Sequence, residues 1–347
     1  MRRYVRPYDP RETAQPMIVR RLASLAALAA LLGGLAACGS DKETLTLYSG
    51  RIAPIMGPAI DQHEAASGVD VQPRWGDSPA LAATLVEEGR NSPADLFFAQ
   101  DAGSLYAVEK QGLLMKLPAD ILAKVDKPYR SRTGAWVGVT GRSRVIAYGP
   151  DVKESELPDS PLELTDEKWK GRVGWAPRNA SMQGYVTALR LVEGEDVARK
   201  WLEGMVANDT QAYDSNIPIR DAIAKGELDL GLINHYYVAE AQAEDPDYPV
   251  KVHFPPNDLG SLVNTAGVAV LASTDNKEQA LKFVRQMLSD EAQRYFADSS
   301  KEYPLVTGVQ APKELTPLSE IPAPDIDLAK LGDLQGTVKL MRETGAL

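Results

Sequence analysis

Apolar and polar positions along the chain follow two periods. Short alternating or continuous apolar runs read as strands: Thr44–Tyr48, Val69–Trp75, Ala94–Ala99, Arg172–Ala176, Gln211–Tyr213, Leu228–Ile233 and Gly267–Ala272. Trp136–Val139 and Arg144–Tyr148 read as two further extended segments, and Leu157–Trp169 as a loop with a short helix. Between the strands, apolar residues three and four apart predict helices over Ile55–Ala66, Ser104–Lys110, Ile219–Lys225 and Tyr237–Ala243, the first three closed by Gly68, Gly112 and Gly226. Another runs to Glu88 and ends at Gly89, with Ser78 as N-cap and Pro79 in the first helical position. A long helix carries Val186, Leu189, Val192, Val197, Trp201 and Met205 on one side and breaks near Gly194; Lys277–Leu288, Glu291–Ala297 and Leu334–Arg342 complete the set.

Strand and helix alternate, which predicts an α/β protein with largely parallel sheets and right-handed crossovers. One βαβ series occupies the first part of the chain, a second runs from about 145 to 250, and Gly267–Ala272 returns to the first. Two α/β lobes joined by strands near 141–150 and 264–271 form the architecture of a hinged binding protein, with the ligand between the lobes. The expected boundaries are residues 44–142 plus 267–305 for one lobe, 143–266 for the other, and a C-terminal helical segment, 306–347, packed on both.

Polar residues gather where strands end, which is where open α/β sheets bind ligands. These are Ser49–Arg51, Gln100 and Asp101, Asn179–Ser181, Asn216, and Asn234-His235-Tyr236-Tyr237. Two of the groups open helices, whose free amides favour an anion. Ser181 and Asn216 also suit ordinary capping or turn roles, and the tyrosines could simply pack at a strand end. Arg142 and Arg144, two apart on a strand, face one side and could bring positive charge to the cleft.

Composition is globular, 44% hydrophobic and 25% charged over 347 residues, a length that favours two domains. Arg20 and Arg21 precede an apolar run, Leu22–Ala37, too short and too rich in Ala and Gly for a transmembrane helix. It ends Leu35-Ala36-Ala37-Cys38, like a bacterial lipobox, and Cys38 is the chain's single cysteine. Residues 1–37 therefore read as a lipoprotein signal (with Met17 a candidate start), Cys38 as the diacylated first mature residue, and 38–43 as a tether. Removing residues 1–37, with six arginines and two acids, takes the net charge from −10 to −14. An acidic, exported, membrane-tethered monomer is the expectation, and nucleic acid is not an expected partner.

No Gly-x-Ser-x-Gly elbow, Walker loop, Rossmann glycine fingerprint or His-Glu-x-x-His occurs, and there are three histidines. A surface lipoprotein enzyme is the weaker alternative to a binding protein.

Several segments in order resemble the ferric-iron-binding periplasmic proteins of ABC importers. They are Tyr48-Ser49-Gly50-Arg51, Gly76-Asp77-Ser78, Glu87-Glu88-Gly89, Ser92–Phe98, Gly141–Val145 and Ile233–Tyr237. The resemblance implies a two-lobed periplasmic-binding-protein fold, transferrin-like Fe(III) coordination, and delivery of the ion to an ABC permease and its ATPase. It implies Tyr236 and Tyr237 as metal ligands, and Asn234 and Asn216 as contacts to a synergistic anion: carbonate, phosphate or citrate. Ferric ion is hard and suits phenolate oxygen. Histidine, glutamate and a third tyrosine used by some members are replaced here by Ile52, Gln100 and Met182. The anion and water are then expected to fill the shell, with Ser181, Asn179, Gln100, Asp101, Arg51, Arg142 and Arg144 around the anion or behind the ligands. His235 is the weaker ligand candidate, against a role in lobe packing. The remaining alternative is the same scaffold holding an oxyanion or a ferric chelate.

Overall fold

The structure is a computed structural model and describes residues 43–256, 258–324 and 326–347. The export signal, Met17, Cys38 and the tether up to residue 42 lie outside the described residues.

Strand and helix alternate as the pattern predicts: β1 (Thr44–Ser49), α1 (Ala53–Ser67), β2 (Asp70–Trp75), α2 (Ser78–Glu88), β3 (Leu96–Ala99) and α3 (Ala102–Glu109). A short α4 (Ala119–Leu122) leads to β4 (Trp136–Tyr148), β5 (Val173–Trp175), α5 (Ala180–Val192), α6 (Glu195–Ala207), β6 (Gln211–Ala212), α7 (Asn216–Ala224), β7 (Leu230–Asn234) and α8 (Tyr236–Glu244). The chain closes with β8 (Lys251–His253), β9 (Val263–Val270), α9 (Lys277–Met287), α10 (Asp290–Ser300), β10 (Tyr303–Pro304) and α11 (Leu334–Glu343).

The strand order is β2-β1-β3-β9-β4-β7-β5-β6, with β8 and β10 also paired to β4. β1 is parallel to β2 and β3, and β5 to β6 and β7. Every pairing of β9 and β4 is antiparallel. The expected parallel sheets are thus the two outer parts, joined by an antiparallel centre.

Trp136–Val139 and Arg144–Tyr148 are not two strands: β4 is one buried strand of 13 residues. Its polar middle, Thr140–Ser143, gave no apolar signal because backbone pairing to β9 and β10 holds it there. Gly138 faces Gly267 across this crossing. A Cβ on Gly138 would meet the Tyr129 carbonyl oxygen at 2.5 Å, and one on Gly267 the Val137 carbonyl oxygen at 2.7 Å, so the approach requires glycine.

One helix start also differs. Ser78 is not the N-cap of α2; Asp77 is, without a side-chain bond, and Ser78 lies in the first turn. Its hydroxyl instead accepts from the Gln100 backbone N–H at 2.9 Å, tying α2 to the end of β3. The break expected near Gly194 is present: two helices part there, with Gly194 at φ +97°.

The main core includes Leu85 and Phe97 near the first strands, Tyr185 and Trp201 near the second, and Leu331, Leu340 and Met341 of the C-terminal segment. The turn Leu328–Gly332 packs on both α3 and α5. It sits so close to α3 that a Cβ on Gly103 would lie 2.5 Å from the Leu331 carbonyl oxygen.

The antiparallel centre is cross-tied by Glu302, between α10 and β10 and only 1% exposed. Its carboxylate accepts from Arg51 Nη1 at 2.7 Å and Thr140 Oγ1 at 2.6 Å, with Arg142 Nη1 at 3.9 Å. Burial alone would raise its pKa, but the charges of Arg51 and Arg142 and bonds from Arg51 and Thr140 outweigh that and hold the carboxyl below its ordinary value.

Glu302→Ala should cost about 3–5 kcal/mol in urea denaturation, because it strands two buried guanidiniums. With a depressed folded-state pKa, the stabilisation is complete above the ordinary value of 4.5 and is lost as pH falls through the folded value. The wild-type midpoint should therefore fall more steeply than that of Glu302→Gln below pH 4.5; parallel profiles would contradict this. Gly103→Ala should cost about 1–3 kcal/mol by forcing the 328–332 turn off α3, again read from the urea midpoint.

Candidate functional site

The carboxyl ends of β1 and β3 face the junction of β5 and α5 across a cavity of about 470 Å³, lined by Gly50, Gln100, Asp101, Arg142, Asn179 and Asp214 among others. Gly50 has no room for a side chain: a Cβ would fall 2.0 Å from Ser78 Oγ.

β7 reaches this region as five buried residues, Leu-Gly-Leu-Ile-Asn, and the chain turns directly into α8. His235 is the N-cap, already in helical conformation and making no side-chain cap bond. The first two helical residues are Tyr236 and Tyr237, both half-buried, with ring centroids 4.2 Å apart and planes tilted by 36°. The Tyr236 phenol is held far above its ordinary pKa, first by burial, then by the neighbouring Tyr237 and Glu302, with Arg142 opposing. Without a cation it is a neutral hydroxyl. Arg51 is buried and paired to Glu302, and its charge interacts with both phenols.

A second corner forms around Arg144, which faces Asn234 across the β4–β7 ladder, so the two side chains share a face. Arg144 Nη2 lies 3.0 Å and Asn234 Nδ2 3.3 Å from Ser181 Oγ, which donates to Asn179 Oδ1 at 2.6 Å. Asn179, rather than Ser181, is the N-cap of α5, accepting from the Ser181 backbone N–H. Arg144 is 3% exposed, and among the described residues no carboxylate pairs with it. Burial lowers its pKa to about 10, with Arg142 adding to the effect and Tyr185 opposing it. A buried guanidinium without a counter-charge suits an incoming anion. Asn216, 1% exposed in the first turn of α7, has an Nδ2 with no partner. Leaving it so costs about 1–3 kcal/mol.

The other candidates divide. Arg142 is buried; it donates to the Gln100 carbonyl oxygen and carries a buried Nη1 without a hydrogen-bond partner. Gln100 uses its backbone for Ser78 and Arg142 while lining the cavity. Asp101 is engaged as the N-cap of α3, accepting from the Ser104 N–H at 2.7 Å and its hydroxyl at 2.9 Å. Ile52 is 57% exposed and Met182 is buried; neither offers an oxygen. His235 has both ring nitrogens occupied, by the Ser143 N–H and the Lys301 carbonyl oxygen, and stacks on Tyr303 at 4.5 Å. Burial lowers its pKa to about 4, partly offset by Glu302. It joins the start of α8 to β4 and the 301–303 segment and has no lone pair left for a metal.

Two acids escaped the sequence reading. Glu302 lies in a short segment without periodicity, and only long-range pairing to Arg51 reveals it. Glu240 lies one helical turn beyond Tyr236; burial raises its pKa to about 7, with Arg220 opposing and Glu302 reinforcing. Among the described residues no cluster of three or more His, Cys, Asp or Glu could hold a metal ion.

The sequence profile described as bacterial extracellular solute-binding protein matches residues 91–331. A Serratia marcescens protein named Fe(3+)-binding periplasmic protein is 32% identical over 94% of this chain and 99% of its own length. Iron-bound HitA from Pseudomonas aeruginosa is 35% identical and superposes with a TM-score of 0.81 over 87% of this chain and 99% of that one. The Trichodesmium protein IdiA, or FutA, solved with iron and citrate ligands, is 30% identical with a TM-score of 0.76 over the same shares, 87% and 99%. A two-lobed fold, a ligand-sized opening at the strand ends and full-length similarity of this order place the chain in the family of bacterial extracellular solute-binding proteins.

Proposed function

We propose that the protein is the extracytoplasmic ferric-iron-binding component of an ABC importer. The observation that carries this reading is the pair of touching phenols at the end of β7, beside a buried arginine corner that lacks a counter-ion. The relatives named for ferric iron, and neighbours solved with iron, support it.

Fe(III) is the cargo. Tyr236 and Tyr237 would bind it as phenolates, the cation supplying the stabilisation that burial withholds from the free phenol. Arg144, Ser181 and Asn234 would hold a synergistic anion of the carbonate, phosphate or citrate type, and Asn216 would complete that contact. Arg51, fixed by Glu302, would offset the negative charge of the phenolates. Gln100 would face the cargo from the other lobe, with water filling the shell; Asp101 serves by shaping α3. The lobes are assigned to residues 44–142 plus 267–305 and 143–266, with β4 and β9 as the hinge. Closure would follow cargo binding because only the closed state brings both lobes onto the ligand. The loaded monomer would pass iron to the permease, driven by its ATPase, while diacylated Cys38 keeps it at the membrane.

Arg144 also supports a second reading, in which an oxyanion or a ferric chelate is the cargo and the tyrosines only contact it.

A Tyr236→Phe/Tyr237→Phe protein should lose the visible phenolate-to-iron band and its bound iron by metal analysis. Retention of both colour and stoichiometry would remove the tyrosines from the site. Because each phenol must release a proton to bind, affinity should rise with pH, by roughly a hundredfold per unit if both are released on binding. Competition against a chelator of known pH dependence should show iron lost on acidification; a flat profile would contradict phenolate ligation.

A further inference from the structure

A second concave site lies at the start of β4, upstream of Trp136, and shares no residue with the cleft cavity. Its volume is about 590 Å³. Four cationic side chains line it, Lys116, Lys127, Arg130 and Arg132, against one carboxylate, Asp327. The chain as a whole carries a net charge of −10, so this cavity inverts the charge of the protein around it.

The walls are fixed. Arg130 is half-buried and donates to the Leu122 carbonyl oxygen. The loop that follows is pinned by Glu109, which accepts from Ser131 Oγ at 2.8 Å, Thr133 Oγ1 at 2.5 Å and Trp136 Nε1 at 2.8 Å. Gly134 turns the loop at φ +84°, and a Cβ there would lie 2.9 Å from Leu122 Cδ1 and 3.5 Å from Lys116 Cγ. Any side chain would crowd the Lys116 stem and shrink the cavity. Arg132 reaches Asp327 at 3.3 Å but is 74% exposed, so that pair neutralises little. Lys116 and Lys127 have no acidic partner within bonding distance among the described residues. Like charges converging on a concavity repel one another, and a concavity focuses their field, so an anion placed there is attracted by all four.

We propose that this cavity binds an anionic phosphate compound, either a soluble phosphate ester or pyrophosphate, or the phosphate of a lipid headgroup. Arginine and lysine together match that chemistry, the first through its planar fork and the second as a point charge. The volume accommodates more than one phosphate group. The site is independent of the proposed iron cleft.

Calorimetric titration of the full chain with sodium pyrophosphate at low salt tests it, alongside sedimentation with phosphatidylglycerol vesicles and with phosphatidylcholine vesicles. The cavity variant is Lys127→Glu/Arg132→Glu, both exposed positions; Arg144→Met controls for uptake by the anion corner of the cleft. The cavity variant should bind pyrophosphate at least about tenfold more weakly while still loading iron, and the Arg144→Met variant should bind it like wild type. Pyrophosphate binding without vesicle binding identifies a soluble phosphate compound. Retention on phosphatidylglycerol alone, lost in the cavity variant, identifies a headgroup. Binding of neither probe, or binding of both unchanged in the cavity variant, would overturn the proposal.

Discussion

Charge balance around three buried arginines organises this molecule. Arg142 and Arg144 sit in the middle of β4, the strand shared by both halves of the sheet, and Arg51 approaches from the end of β1. Desolvating a guanidinium is costly unless a counter-charge meets it. Glu302 meets Arg51 and lies near Arg142, and in doing so ties the β1 turn, β4 and the 302–303 segment together. Arg144 has only Ser181 and a carbonyl oxygen. Three buried guanidiniums thus meet a single carboxylate, and the shortage of negative charge is sharpest at Arg144, which has none beside it.

The tyrosine pair is complementary to that deficit. The Tyr236 phenol, kept neutral by burial, gains nothing by ionising unless a cation arrives. In the proposed site a trivalent cation with two phenolates would leave one positive charge, and an anion on Arg144 would complete both the coordination and the balance. His235 fixes the start of α8 by stacking on Tyr303 and bonding to β4, so the phenols are presented from a braced helix end. The pKa pattern is therefore a consequence of geometry: burial keeps Tyr236 protonated and His235 neutral until the cargo changes the local charge.

Much of this was legible from residue order. Alternation of strand and helix and the polar strand end at Asn234–Tyr237 both follow from local patterns. β4 was misread as two strands because its middle, Thr140–Ser143, is polar yet buried, a state that only pairing with β9 and β10 explains. Capping roles were exchanged for the same reason: Ser78 and Ser181 suit an N-cap by type, but tertiary contacts to Gln100 and Arg144 claim their hydroxyls. Glu302 could not be found locally, since its partner Arg51 lies 251 residues away. Asp101 was read as a cleft group; it lines the cavity and also caps α3, a second role that depends on which way its carboxylate turns.

The central claim is that iron and an anion are bound together, each supplying the charge the other lacks. Titration of the apo-protein with ferric ion, with and without carbonate, phosphate or citrate, tests this directly. A coloured one-to-one iron complex that forms tightly only when an anion is present is the predicted result. An anion that binds tightly alone, with iron adding neither colour nor heat, would contradict it.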